Sequence, residues 1–131
     1  MNTSMKVIGS ISLAVVGALV GFGAYYTFTG KNLLSSKEAK KMIKNKEVKF
    51  VIDVRTKAEY NLGHYKNALH FPGGSMNPKS IAAFQKKHNI KKDDGLLVYC
   101  NTGQRARNAA EKLEKEGFTK VYYIAGTYLS L

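Results

Sequence analysis

Cys100 is the one cysteine among 131 residues, and Asn101, Thr102, Gly103, Gln104 and Arg105 follow it directly. A chain with one thiol forms no intramolecular disulfide, so it is not a disulfide-stapled scaffold. A lone cysteine is most simply a small buried hydrophobe. The case for chemistry therefore rests on its neighbours. Leu96 to Tyr99 is a continuous apolar run, the pattern of a strand covered on both faces. A helical pattern follows as far as Glu116, with Gly117 as its stop. Cys100 then stands at the carboxyl end of a buried strand and before a helix. Open parallel sheets bind ligands at that end. Backbone N–H groups of a loop entering a helix converge there, and the helix dipole adds positive character. Sulfur at such a point is favoured as thiolate, the reactive form. Gly103 permits the tight path, Thr102 offers a hydroxyl, and Arg105 supplies a planar charged fork for an oxyanion. Arg107 adds field one turn on. The chemistry expected is attack by a thiolate on an anionic donor whose charge would otherwise repel it.

Several elements must hold this loop in place. Residues 35–45 read as a helix capped by Ser35 or Ser36, with Ala39, Met42 and Ile43 on one face. Val48 to Val54 is rich in β-branched residues and reads as a strand. Thr56 and Glu59 match a capping box for a short helix ending near Gly63. Ala68 to Phe71 reads as a short strand, stopped by Pro72, Gly73 and Gly74. Asn77 caps a helix that begins at Pro78 and shows Ile81, Ala82 and Phe84 as apolar positions. Asp93, Asp94 and Gly95 make a turn, and Val121 to Ile124 is the last strand. Strands alternating with helices imply an α/β fold with a mostly parallel sheet covered by helices.

The chain is uneven in charge. Residues 1–30 carry one charged side chain, Lys6, while residues 31–131 hold the other 20 Lys and Arg and all 9 Asp and Glu, a formal charge of +11. That field attracts anions without choosing among them, and its plainest reading is a solvated Lys-rich surface. Val7 to Gly30 is uncharged, and residues 7–28 are its most apolar part. That length is enough to cross a bilayer core, and Phe22, Tyr25, Tyr26 and Phe28 gather where interfacial aromatics sit. The expected organisation is a transmembrane anchor in residues 1–30, or an uncleaved signal, followed by a domain in residues 31–131. The rival is a cleaved signal peptide, although no Ala-x-Ala site is present. Seven lysines from Lys31 to Lys49 against Lys6 place the domain on the cytoplasmic side. Gly17 and Gly21 would let two such helices approach closely and form a helix-mediated dimer.

Three blocks, in order, resemble the rhodanese family, and together they cover nearly all of residues 35–128. The first is Asp53-Val54-Arg55 with Glu59-Tyr60 and Gly63-His64. The second is Cys100 to Arg105 with the helix behind it, including Ala109, Ala110 and Leu113. The third is Gly117-Phe118, Val121-Tyr122 and Gly126. The resemblance implies a rhodanese-like α/β fold and a sulfurtransferase. Cys100 would take sulfane sulfur from a small anionic donor such as thiosulfate, carry it as a persulfide and pass it to a thiophilic acceptor: a thiol, cyanide or a protein. Asn101 to Gln104 would stabilise the anionic persulfide, Arg105 would hold the donor or steady the loop, and Asp53 and Arg55 would support the surroundings. Asp53 also reads as purely structural. No metal or organic cofactor is implied, and no nucleic-acid partner is expected.

Related phosphatases place five residues between Cys and Arg; here there are four, and Tyr99 rather than His precedes Cys100. Both details favour sulfur over phosphate. A Cys-dependent phosphatase or arsenate reductase on the same fold remains the first rival, and a non-catalytic membrane-tethered binding module the second. The chain departs from the family at Tyr65-Lys66-Asn67, where a Pro and a Gly are replaced, at Ala125-Gly126, and at Leu129-Ser130-Leu131 in place of a Trp. His64 reads as packing at a strand entrance, and His70 and His88 show no metal-ligand spacing. Of Tyr122 and Tyr123, alternation buries one and exposes the other.

Overall fold

A computed structural model describes residues 32–131. The expected anchor and its Gly17–Gly21 pair lie outside the described residues, as does the cleavage question. No helix among the described residues is long and apolar enough to cross a membrane. The chain runs through β1 (Leu33–Leu34), α1 (Ser36–Lys44), β2 (Phe50–Asp53), α2 (Lys57–Leu62), β3 (Leu69–His70), α3 (Pro78–His88), β4 (Leu96–Tyr99), α4 (Gln104–Lys115) and β5 (Val121–Ile124). Short 3-10 turns occupy Gly73–Ser75 and Tyr128–Ser130.

The sheet order is β1-β5-β4-β2-β3, and β3, β2, β4 and β5 run parallel. This is the α/β arrangement expected. β4 lies centrally, which explains its unbroken apolar run: all four of its residues are buried. Leu96, Val98 and Cys100 face a core built with Ala106, Ala109, Ala110 and Leu113 of α4 and with Ile81 of α3. Leu97 and Tyr99 face the other core, with Ala39 of α1 and Tyr60 of α2. Period-two alternation along one strand thus feeds two apolar layers.

Three helices start as expected. Ser35, Thr56 and Asn77 each accept from the backbone N–H three residues on, and Glu38, Glu59 and Ser80 reciprocate. Two strands are shorter than expected. Lys49 and Phe50 both send their N–H groups to the Gly95 carbonyl, so regular pairing of β2 begins only at Phe50. β3 keeps two residues because Phe71 and Gly73 already bond back to Asp53 and Val54. Ala82 is exposed, while Ile81 and Phe84 pack inward. Tyr122 and Tyr123 are both half-buried, one against each layer, because helices cover both faces of β5.

Candidate active site

The strand register brings the site together. Asp53 pairs with Tyr99 across β2 and β4, so the residues after them, Val54-Arg55 and Cys100, leave the sheet side by side at its carboxyl edge. Gly103, at φ +97°, turns the chain into α4. A Cβ there would stand 3.0 Å from the Ala125 Cα, so both backbone angle and space call for glycine. Gly103 has no side chain to cap α4. The Cys100 Sγ takes that part instead, accepting from the Gly103 N–H at 3.1 Å and the Ala106 N–H at 3.3 Å. Two donors and the positive end of a helix of twelve residues therefore converge on the sulfur. Two N–H donors at a helix start make a nest that suits negative charge on the atom they face. Cys100 itself is fully covered, at 0 % exposure.

The other loop residues divide into two groups. Thr102 and Gln104 are exposed. Arg105 and Asn101 turn to one carboxylate. Arg105 donates to both Glu59 oxygens, at 2.8 and 3.0 Å, and Asn101 donates to Glu59 Oε2 at 3.0 Å. Glu59 so grips both ends of the loop from α2, while it also closes the cap with Thr56. Hydrogen bonding from Arg105, then from Thr56, holds the Glu59 carboxyl well below its ordinary range. The fork of Arg105, expected to face an oxyanion, is in this arrangement engaged by an internal one. Arg107 pairs with Glu111 one turn further along the helix.

Asp53 and Arg55 sit beneath the loop rather than in it. Asp53 is 0 % exposed and accepts from the Arg55 backbone N–H (2.9 Å), from Arg55 Nη2 (2.7 Å) and from the Tyr99 hydroxyl (2.6 Å). Arg55 Nη2 also donates to the Gly63 carbonyl, and its guanidinium lies over the rings of Tyr99 and Tyr128. The Tyr65 N–H donates to the Tyr99 hydroxyl oxygen. Burial alone would push the Asp53 carboxyl up; the bonds from Arg55 and Tyr99 outweigh it and hold the group below its ordinary value. Burial and the bond to Asp53 push the Tyr99 phenol up. This ionic knot fastens the end of β2 to the residue before Cys100. It holds the strand end from which Cys100 leaves the sheet.

The histidines are packing residues. His64 stacks on Tyr60 with Nδ1 2.8 Å from the Tyr60 carbonyl, and His70 Nε2 lies 2.8 Å from the Arg55 carbonyl. Burial, then Lys87, lowers the His88 pKa. No group of three or more His, Cys, Asp or Glu among the described residues could hold a metal ion. Two residues join the site that the sequence alone does not place there, Glu59 and Tyr99. In the sequence Glu59 reads as a helix cap and as part of the Glu-Tyr block, with nothing to show its bonds to Asn101 and Arg105. In the sequence Tyr99 reads as the last apolar residue of a strand and as a departure from the phosphatase His, with no sign of its hydroxyl's bond to Asp53.

The family described as Rhodanese-like domain matches residues 35–130. The tRNA uridine(34) hydroxylases of Enterobacter sp. (strain 638) and of Escherichia coli are each 32% identical over 96 residues. The match covers 71% of this chain and 26% of the relatives, so the chain spans about a quarter of their length. Among solved structures, the human single-domain sulfurtransferase TSTD1 is 26% identical with a TM-score of 0.61, over 77% of this chain and 95% of that one. The Helicobacter pylori protein hp1203 is 28% identical with a TM-score of 0.57, over 75% and 79% respectively.

Proposed function

The chain belongs to the rhodanese-like domain family, and on that premise we propose that it is a sulfurtransferase that carries sulfane sulfur on Cys100. The observation that carries this reading is the pair of N–H donors on Sγ at the head of α4. In the loading step the Cys100 thiolate attacks the outer sulfur of thiosulfate. A new S–S bond forms, the old one breaks, and sulfite leaves with the electron pair. In the discharge step an acceptor thiolate attacks the outer sulfur of the persulfide. The acceptor leaves as a persulfide, and the electron pair returns to Cys100 as thiolate. The backbone donors serve both steps, because each places negative charge on sulfur at the same point. The four-residue span from Cys100 to Arg105 supports sulfur over a bulkier phosphate.

We further propose that residues 7–28 tether the domain to a membrane with the site on the cytoplasmic face, a reading supported by their uncharged composition and by the lysines that follow. Protease added to sealed spheroplasts should spare the domain; cleavage there refutes the orientation, and recovery in the soluble fraction refutes the tether.

The test of activity is mass spectrometry of the full chain after exposure to thiosulfate. Cys100 should gain about 32 Da, one sulfur atom, and return it on addition of a thiol. The Cys100→Ser variant should gain nothing. Turnover of an aryl phosphate or arsenate without sulfur uptake would overturn the reading.

A further inference from the structure

Beside the nucleophile loop, one face of α4 opens on a cleft of about 230 Å3. Arg105, Asn108, Ala109 and Lys112 line it from the helix, and Gly73 and Gly74 from the turn opposite. Positions three, four and seven apart share a helix face, so these four residues form one stripe. The lining holds two cations and an amide, and no acid. Lys112 Nζ donates to the Gly73 carbonyl at 3.1 Å, which leaves further N–H groups on the ammonium. Arg105 likewise has donors beyond the two that Glu59 engages.

The glycine wall is the second observation. Neither Gly73 nor Gly74 has a left-handed φ; among the described glycines only Gly103 and Gly117 do. Packing does not require glycine there either. A Cβ at Gly73 would meet Val54 at an ordinary 3.8 Å, and one at Gly74 would meet nothing within 4 Å. Glycine in a turn of 3-10 helix costs conformational entropy and here returns neither conformation nor fit. What the two positions do provide is an open wall facing a cationic stripe.

We propose that this cleft is the acceptor subsite, and that it takes the carboxylate end of a small thiol whose sulfur reaches Cys100. The inference rests on the sulfurtransferase reading above. Lys112 lies six residues beyond Ala106, whose N–H touches Sγ, so about 9 Å of helix separates the two at 1.5 Å per residue. An acceptor with several methylenes between thiol and carboxylate spans that distance. Its apolar middle lies along Ala109 and the glycines, and its charge ends among Lys112, Asn108 and Arg105. After the thiolate takes the outer sulfur, the new persulfide withdraws along the same stripe.

The test compares two acceptors that differ only at the far end: 6-mercaptohexanoate and 6-mercaptohexanol. Discharge of thiosulfate-loaded full-length chain is followed for wild type, Lys112→Gln and Gly74→Val. Lys112→Gln should raise KM for the hexanoate relative to the hexanol about 5- to 10-fold, as loss of a charge-assisted contact predicts. Gly74→Val, which crowds the cleft without touching charge, should also weaken the hexanoate, with its melting temperature checked alongside. An unchanged ratio in both variants overturns the subsite. Saturation-transfer NMR of each thiol on unloaded protein separates this result from failure of the sulfurtransferase reading. Hexanoate signal lost in Lys112→Gln supports the site even if no sulfur moves. Equal signal for both thiols, or none from the hexanoate, overturns it.

Discussion

Replacing Asp53 by Asn is the sharpest test of how the nucleophile is held. In the native chain one carboxylate accepts four N–H contacts from Arg55, one of them from its backbone, and the Tyr99 hydroxyl. Asparagine keeps one acceptor oxygen for the Arg55 backbone N–H. Its amide nitrogen then faces Arg55 Nη2, donor against donor. The guanidinium, 6 % exposed, is left without its counter-charge. Stranding one partner of a buried ion pair costs about 3–5 kcal/mol. Domains of this kind have roughly 5–15 kcal/mol in total, so Asp53→Asn should remove a large share. With an m-value of roughly 1–2 kcal/mol/M in urea, the midpoint should fall by about 1.5–5 M at unchanged m. The companion variant Asp53→Leu with Arg55→Met removes both charges and should be more stable than Asp53→Asn alone, because no buried charge is stranded. A loss below about 1 kcal/mol for Asp53→Asn, or a double variant no better than the single one, would refute this account of the knot.

Acid should unfold the chain through the same groups. Asp53 and Glu59 have folded pKa values depressed below 3.8 and 4.5. Their stabilisation is therefore complete above the unfolded values and lost as pH falls through the folded ones. Urea midpoints should hold at neutral pH and decline from about pH 4 downward; a flat profile to pH 2.5 would contradict the shifts. Glu59→Gln should cost only about 1 kcal/mol, since the Arg105 pair is partly exposed, at 43 % and 29 %. It should nonetheless speed alkylation of Cys100 severalfold, because the grip on both loop ends is gone; an unchanged rate in a thiol-trapping assay would dismiss the grip. Gly103→Ala should lose about 1–2 kcal/mol from the left-handed angle alone. It should also slow sulfur loading as the N–H swings off Sγ, and normal loading in the mass assay would show the nest to be dispensable.

The elements that reveal themselves in sequence are those governed by local rules. The three caps are written within four residues each, at Ser35, Thr56 and Asn77. The central position of β4 is written in its apolar run. The Cys100 loop is contiguous, so its residue types and spacing are visible at once. What stays hidden is pairing over distance. Glu59 and Arg105 lie 46 positions apart, as do Asp53 and Tyr99, and nothing in either segment names the other. The shortened β2 likewise depends on Gly95, which a one-strand reading does not contain. The exposure of Tyr122 and Tyr123 depends on which helices cover the sheet. The cleft beside α4 joins one turn and one helix some thirty positions apart, so in the sequence its glycines read as turn punctuation.

The solitary thiol also sets the kinetics of the proposed carrier. A persulfide with a second cysteine nearby can collapse internally, releasing sulfide at a rate no partner controls. Here the 131 residues offer no such exit. Sulfur loaded on Cys100 leaves by encounter with another molecule, so discharge should fall to zero as the acceptor is withdrawn, with no concentration-independent leak through the chain itself. The loaded form behaves as a store whose lifetime the surroundings decide. In the unloaded chain the Cys100 Sγ is fully covered, so loading in its turn waits on a parting of the loop.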